Sequence, residues 1–197
     1  MKRILAAAVG LSGILAACGS AGVAPDGTVA RVVGISTEFK VQGSAPVRYV
    51  GCDNNTTTDP ARKTSTQVVV TFAVGGTISK VDVALVGTQS SQYNESQTLT
   101  ADALAKNADG NYQAIFDFKS ATGDFLPASI IVTPKPPTVR TPQDVTVNGA
   151  DKVGAFYADL KVYTSSGDII PITSKNLTNI EVYRQCTLAS TAQPLSQ

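Results

Sequence analysis

The sequence has 197 residues, of which 43% are hydrophobic and 16% are charged, and its formal net charge is +1. This composition suits a domain with a buried core, and the balanced charge excludes the clustered excess of Lys and Arg on which nucleic-acid binding depends. The chain contains no histidine, which excludes Ser-His-Asp and Cys-His nucleophile systems and histidine zinc sites.

The first segment of the chain has the pattern of an export signal. Lys2 and Arg3 precede an apolar run over residues 4–17, in which Ser12 is the only polar side chain. The run is shorter than the roughly 20 residues that a membrane-spanning helix needs. A charged start followed by a short apolar run is typical of a signal peptide, here covering residues 1–17.

The end of this signal resembles the lipobox of bacterial lipoproteins. Residues 15–18 read Leu-Ala-Ala-Cys, and the resemblance covers residues 1–18. It implies that the chain is cut before Cys18 and that lipid is attached to this cysteine, which holds the protein on a membrane of the bacterial envelope. Gly19 stands where an Asp favours inner-membrane retention in enterobacterial lipoproteins, so the outer membrane is favoured. The alternative is a plain secretory peptide with an incidental cysteine.

The mature chain is predicted to form one domain behind a short linker. Small and chain-breaking residues over 19–27 indicate a flexible tether, so residues 18–44 are assigned to the lipidated cysteine, the tether and an N-terminal segment. Residues 45–187 are assigned to a single domain and 188–197 to a polar tail. Four prolines within residues 133–142 predict an extended loop that cannot pair as a central strand.

The domain is predicted to be an all-β antiparallel sandwich. In residues 155–163 apolar and polar side chains alternate, which indicates a strand with one buried face. The Asp-Gly pair within residues 107–111 predicts a hairpin turn between strands at 97–104 and 112–119. The pattern resembles Ig-like modules of bacterial surfaces in a general way, although the chain has no tryptophan. Further strands are predicted at 66–74, 79–86, 168–173 and 178–184.

Two cysteines remain once Cys18 is assigned to lipid. Export to an oxidising compartment favours a disulfide between Cys52 and Cys186. The alternative is a pair of free buried thiols. With all three cysteines accounted for in this way, no thiolate remains for a metal site.

The remaining candidates for chemistry are carboxylates. Asp117 with Asp124, or Asp151 with Asp159, could form an acid–base pair of the kind that glycosidases use. The oxygen-rich loops at 53–59 and 107–111 could bind a cation, but the second lacks the first ligand and the closing Glu of a calcium loop and is better explained as a β-turn. No metal site and no cofactor other than the lipid on Cys18 are expected.

Tyr157 and Tyr163 are the candidates for ligand or partner contact, because both lie on the predicted solvent face of the strand at 155–163. The alternative is that they are ordinary exposed sheet residues. The first functional hypothesis is a non-enzymatic, lipid-anchored accessory or structural subunit that contacts another membrane or surface-layer protein. The second is a module that binds envelope glycans or a small ligand, and the third is a carboxylate-dependent hydrolase.

Overall fold

A computed structural model describes residues 21–58, 63–89, 95–119, 130–131 and 138–189. The predicted signal peptide, Cys18, Asp124 and the predicted C-terminal tail from residue 190 onward therefore lie outside the described residues. So do residues 133–137 of the proline-rich segment. Among the residues described, no helix is long and apolar enough to cross a membrane.

The described chain is an all-β sandwich, as predicted, with two short 3₁₀ turns at Ala101–Ala103 and Gly149–Asp151. Sheet 1 has the order β1-β2-β5-β9-β10, and β8 also pairs with β9. Its strands are β1 (Ala21–Val23), β2 (Val29–Thr37), β5 (Ser65–Gly75), β8 (Ala105–Lys106), β9 (Tyr112–Lys119) and β10 (Ile130–Ile131).

Sheet 2 has the order β4-β14-β12-β6-β7, and β13 also pairs with β12. Its strands are β4 (Val50–Cys52), β6 (Ile78–Gly87), β7 (Glu95–Thr100), β12 (Lys152–Thr164), β13 (Ile169–Thr173) and β14 (Ile180–Tyr183). A small sheet of order β15-β11-β3 lies at one end. It comprises β3 (Phe39–Val41), β11 (Gln143–Val147) and β15 (Cys186–Leu188).

The core forms between the inner faces of sheets 1 and 2, and β12 shows why. Phe156, Ala158, Leu160 and Val162 are buried, while the residues between them are partly or fully exposed. This is the alternation that the sequence predicted, because successive side chains of a strand point to opposite faces. Fully burying a side chain such as Leu160 contributes about 1.5–3 kcal/mol. The facing side chains come from β2, β5 and β9 of sheet 1.

The predicted hairpin of residues 97–104 with 112–119 is partly wrong. The strand at Glu95–Thr100 pairs with β6 in sheet 2, whereas the short strand β8 is the one that pairs with β9 across the turn at 107–111. The 3₁₀ turn after Thr100 carries the chain from one sheet to the other. The predicted turn itself is present: Asn107 Oδ1 accepts the backbone N–H groups of Asp109 and Asn111, and Gly110 has a φ of 79°.

The start of the domain differs from the predicted tether. Ala21–Val23 forms β1, which pairs with β2, and β2 and β3 also precede the predicted domain start at residue 45. The small residues serve close packing here. A side-chain Cβ at Gly22 would clash with Cγ2 of Ile170 on β13, so glycine lets the edges of the two sheets approach each other.

The disulfide between Cys52 and Cys186 is confirmed. It joins β4 of sheet 2 to β15 of the small sheet, with 5.8 Å between the two Cα atoms. Both cysteines are buried in a second apolar cluster that includes Phe39, Val50 and Val145. Parallel pairing of β3 with β11, and of β4 with β14, brings these strands together within otherwise antiparallel sheets.

Candidate functional site

The structure does not bring Tyr157 and Tyr163 together into one platform. Both lie on the outer face of β12, but six residues of extended strand separate them by about 20 Å. Each ring also has an ammonium group over its face. Lys80 Nζ lies 4.2 Å from the centroid of the Tyr163 ring, and Lys175 Nζ lies 5.5 Å from that of Tyr157. Each of the two tyrosine rings is therefore already in contact with a lysine ammonium on one of its faces.

The Tyr163 hydroxyl takes part in a hydrogen-bonded bridge across three strands. Asp82 on β6 accepts from Tyr163 (2.7 Å) and from the Thr98 hydroxyl on β7 (2.6 Å). The bond from Thr98, with that from Tyr163, lowers the pKa of Asp82, and the bond to Asp82 raises the pKa of Tyr163. All three side chains are thus engaged in holding the strands of sheet 2 in register.

Asp151 and Asp159 do not form an acid–base pair. Asp151 and Asp159 stand eight residues apart along an extended stretch, about 26 Å, whereas the two carboxyl groups of an inverting glycosidase lie about 6.5–9.5 Å apart. Asp124, the predicted partner of Asp117, lies outside the described residues, and Asp117 faces a guanidinium, with its Oδ1 3.2 Å from Arg140 Nη1. Among the described residues, no three His, Cys, Asp or Glu side chains are grouped so as to hold a metal ion.

Arg140 and Asp117 belong to a polar clamp, defined here as Glu38, Gln67, Asp117 and Arg140. The Glu38 side chain is fully buried, and its Oε1 accepts from Arg140 Nη1 (2.8 Å) and from the Gln67 backbone N–H (2.7 Å). Gln67 Oε1 in turn accepts from the backbone N–H of Arg140 (2.7 Å), and its amide donates to the Thr138 carbonyl. The clamp fastens the segment that follows the proline-rich stretch to β5 and β9.

The concave candidate site is a charged groove on the outer face of sheet 2. It has a volume of about 470 Å³ and is open to solvent. Four separate parts of the chain line it: the segment before β4, the end of β6, the start of β12 and the segment leading into β14. The lining residues are Pro46, Val47, Arg48, Tyr49, Thr88, Lys152, Ala155, Thr178, Asn179 and Glu181.

Glu181 is the electrostatic centre of the charged groove. Its two carboxylate oxygens accept from Lys152 Nζ and Arg48 Nη2, each at 2.5 Å, and from the Tyr183 hydroxyl at 2.9 Å. These bonds, that from Lys152 above all, lower the pKa of Glu181 to about 2. Burial, together with the bond to Glu181, raises the pKa of Tyr183. Two cations against one carboxylate leave the groove with a net positive charge.

Local hydrogen bonds hold the two cations in place. The Ser44 hydroxyl donates to the Val41 carbonyl and accepts from the Arg48 backbone N–H, which fixes the loop between β3 and β4. Lys152 follows a 3₁₀ turn capped by Asn148, whose Oδ1 accepts from the Ala150 N–H at 3.0 Å. The two side chains stay substantially exposed, with 52% of that of Arg48 and 43% of that of Lys152 accessible.

No feature of the sequence predicted the charged groove. Arg48, Lys152 and Glu181 are far apart in sequence and stand singly among other residue types, so no local motif signals them. Register creates the site: Glu181 pairs with Ala155 on β12 and, in parallel, with Val50 on β4.

Comparison with known proteins gives no relative: no family model, no curated protein and no solved structure matches this chain.

Proposed function

We propose that this protein is a lipid-anchored, non-enzymatic protein of the bacterial envelope that binds a protein partner through the charged groove. The support for the anchor is the resemblance of residues 1–18 to a lipoprotein signal ending at Cys18. The observation that carries the partner site is the groove itself, a concavity of about 470 Å³ in which two exposed cations converge on one carboxylate. The partner would belong to the same envelope, with the outer membrane favoured as the location.

The chemistry of the groove selects a partner with a carboxylate-bearing segment. Arg48 and Lys152 each use only some of their N–H donors in the bonds to Glu181, since a guanidinium has five such donors and an ammonium has three. Val47, which is 53% exposed, supplies an apolar contact at the rim. An acidic side chain could therefore bind the free donors while a neighbouring apolar group covers Val47. Anchoring in one membrane raises the effective concentration of such a partner, so that weak contacts suffice.

The test is purification from the native envelope in mild detergent, with cross-linking and mapping of the linked residues. Thr178 is exposed in the groove, and a Thr178→Trp variant fills it without altering the core. Thr146→Trp places the same side chain on an exposed position of β11, outside the groove, as a matched control. We expect cross-links to map to the groove, and recovery of the partner to fall about tenfold, roughly 1.4 kcal/mol, in Thr178→Trp alone. Equal recovery with both variants would contradict the proposal.

A small-ligand or glycan module is the second candidate, because the groove volume falls within the roughly 300–1,000 Å³ typical of small-molecule sites. It predicts that the protein purified alone binds a carboxylated glycan or solute, and that Thr178→Trp abolishes this binding. Isothermal titration with both variants separates the two candidates, since a partner-binding groove would show affinity for the protein partner and none for free glycans.

A further inference from the structure

An exposed apolar strip runs along the outer face of sheet 1, next to the N-terminal end of the described chain. We define the valine strip as Val23, Val29, Val33 and the Arg31 side chain among them. The three valines are 71%, 45% and 42% exposed. Isolated exposed valines are ordinary, but these belong to two adjacent strands at one edge of the sandwich.

Strand register places these side chains on one face. Val23 pairs directly with Val29, and Ala21 pairs with Arg31, so each pair shares a side of the sheet. Ala30 and Val32, the alternate residues of β2, point inward and are buried. Val29 and Arg31 are therefore outward residues of β2, and Val33, which lies at the β-bulge between Val32 and Gly34, is exposed beside them.

The strip reaches the start of β1, which is the part of the described chain nearest in sequence to the predicted lipid anchor. Ala21 begins β1, and it follows Cys18 by three positions in the sequence, a reach of at most about 11 Å. Arg31 stands opposite Ala21, and Val33 lies two residues further along β2, past the level of the first residue of β1. Lipid on Cys18 would thus hold this edge of the sandwich within about 11 Å of the anchored residue. No long tether remains, because β1 is already part of sheet 1.

We infer that the valine strip rests on the lipid surface, so that the domain lies against the membrane in one orientation. This inference rests on the proposed lipid anchor at Cys18. Valines buried shallowly among headgroups lose contact with water, and Arg31 would pair with lipid phosphate. Among the described residues, Arg31 makes no ion pair. Packing of Gly22 against Ile170 fixes β1 to sheet 2, so the strip and the rest of the domain move as one body.

Tryptophan fluorescence tests the inference directly, because the chain contains no tryptophan. Single variants Val29→Trp and Val33→Trp place the probe on the strip. Val47→Trp is the control, since it replaces a valine of similar exposure (53%) in the segment before β4 that lines the charged groove. Each full-length lipidated variant is reconstituted into phosphatidylethanolamine–phosphatidylglycerol vesicles with brominated acyl chains, which quench tryptophan near the membrane. A probe buried about 5–10 Å into the interface is expected to lose about half of its fluorescence, and the control about a tenth or less.

The outcomes separate this inference from the anchor on which it rests. Detergent-phase partitioning of the parent chain and of Cys18→Ala reports the anchor alone: loss of partitioning in the variant supports it, and retention contradicts it. If the protein is anchored but the strip and control probes are quenched equally, the orientation is wrong and the proposed anchor stands. The inference is also overturned if the strip probes are shielded from water but are not quenched by the brominated lipid, as contact with a second copy or with another protein would give.

Discussion

The polar clamp gives the sharpest prediction about stability. Arg140→Met removes the guanidinium that lies 2.8 Å from Glu38 Oε1, while the Glu38 side chain stays fully buried. A buried carboxylate that loses its cation costs about 3–5 kcal/mol. Asp117 is a weaker partner, with 23% of its side chain exposed to solvent. We therefore expect Arg140→Met to lower the free energy of unfolding by about 3 kcal/mol, and Asp117→Asn to lower it by about 1 kcal/mol or less.

Urea denaturation followed by far-UV circular dichroism, with the disulfide intact, measures both effects. The double variant Glu38→Gln with Arg140→Met removes the buried charge together with its partner, so it should recover about 1–2 kcal/mol relative to Arg140→Met. A loss below about 1 kcal/mol in Arg140→Met, with no recovery in the double variant, would refute the reasoning. It would show that the clamp contributes no more than an exposed ion pair.

Two further predictions concern the charged groove and the disulfide. The pKa of Glu181, about 2 against an ordinary 4.5, implies stability that is present above pH 4.5 and lost as the pH falls through about 2. The shift limits the contribution of Glu181 to the free energy of unfolding to about 3 kcal/mol, and solvent screening of the exposed cations reduces this to about 1 kcal/mol. In urea titrations, the difference in stability between the parent and Glu181→Gln should therefore disappear as the pH falls from 4.5 to about 2. A constant gap would be inconsistent with the assigned shift. Replacing Cys52 and Cys186 by Ala removes a cross-link between residues 134 positions apart and should lower the free energy of unfolding by about 4–5 kcal/mol, measured by urea denaturation. Unchanged stability would contradict the view that the disulfide constrains the unfolded chain.

Strong alternation made the centre of the fold predictable from sequence. In β12 every second residue from Phe156 to Val162 is apolar and buried, and nothing local competes with the strand. The beginning of the domain was not predictable in this way. Gly22 and its small neighbours have the composition of a linker, but they form a strand because only a residue without a side chain fits against Ile170. A close approach to a residue remote in sequence leaves no local pattern.

The disulfide and the charged groove show the same contrast at the level of sites. Cys52 and Cys186 could be paired from sequence because chemistry left no other partner once Cys18 was assigned. Arg48 and Glu181 had many possible partners, since isolated charges are frequent on any surface. Only the parallel pairing of β4 with β14 brings these two together.

The two proposed surfaces are compatible because they lie on opposite faces of the sandwich. The valine strip is on the outer face of sheet 1, and the charged groove is on the outer face of sheet 2. The inner faces of the two sheets pack against each other in one core, and sheets packed in this way lie about 10 Å apart. A domain that rests on the membrane through the strip therefore presents Arg48, Lys152 and Glu181 to the aqueous side. The partner must then reach the groove with a segment that projects from the membrane into water. A carboxylate in such a segment stays hydrated, so its charge costs little free energy.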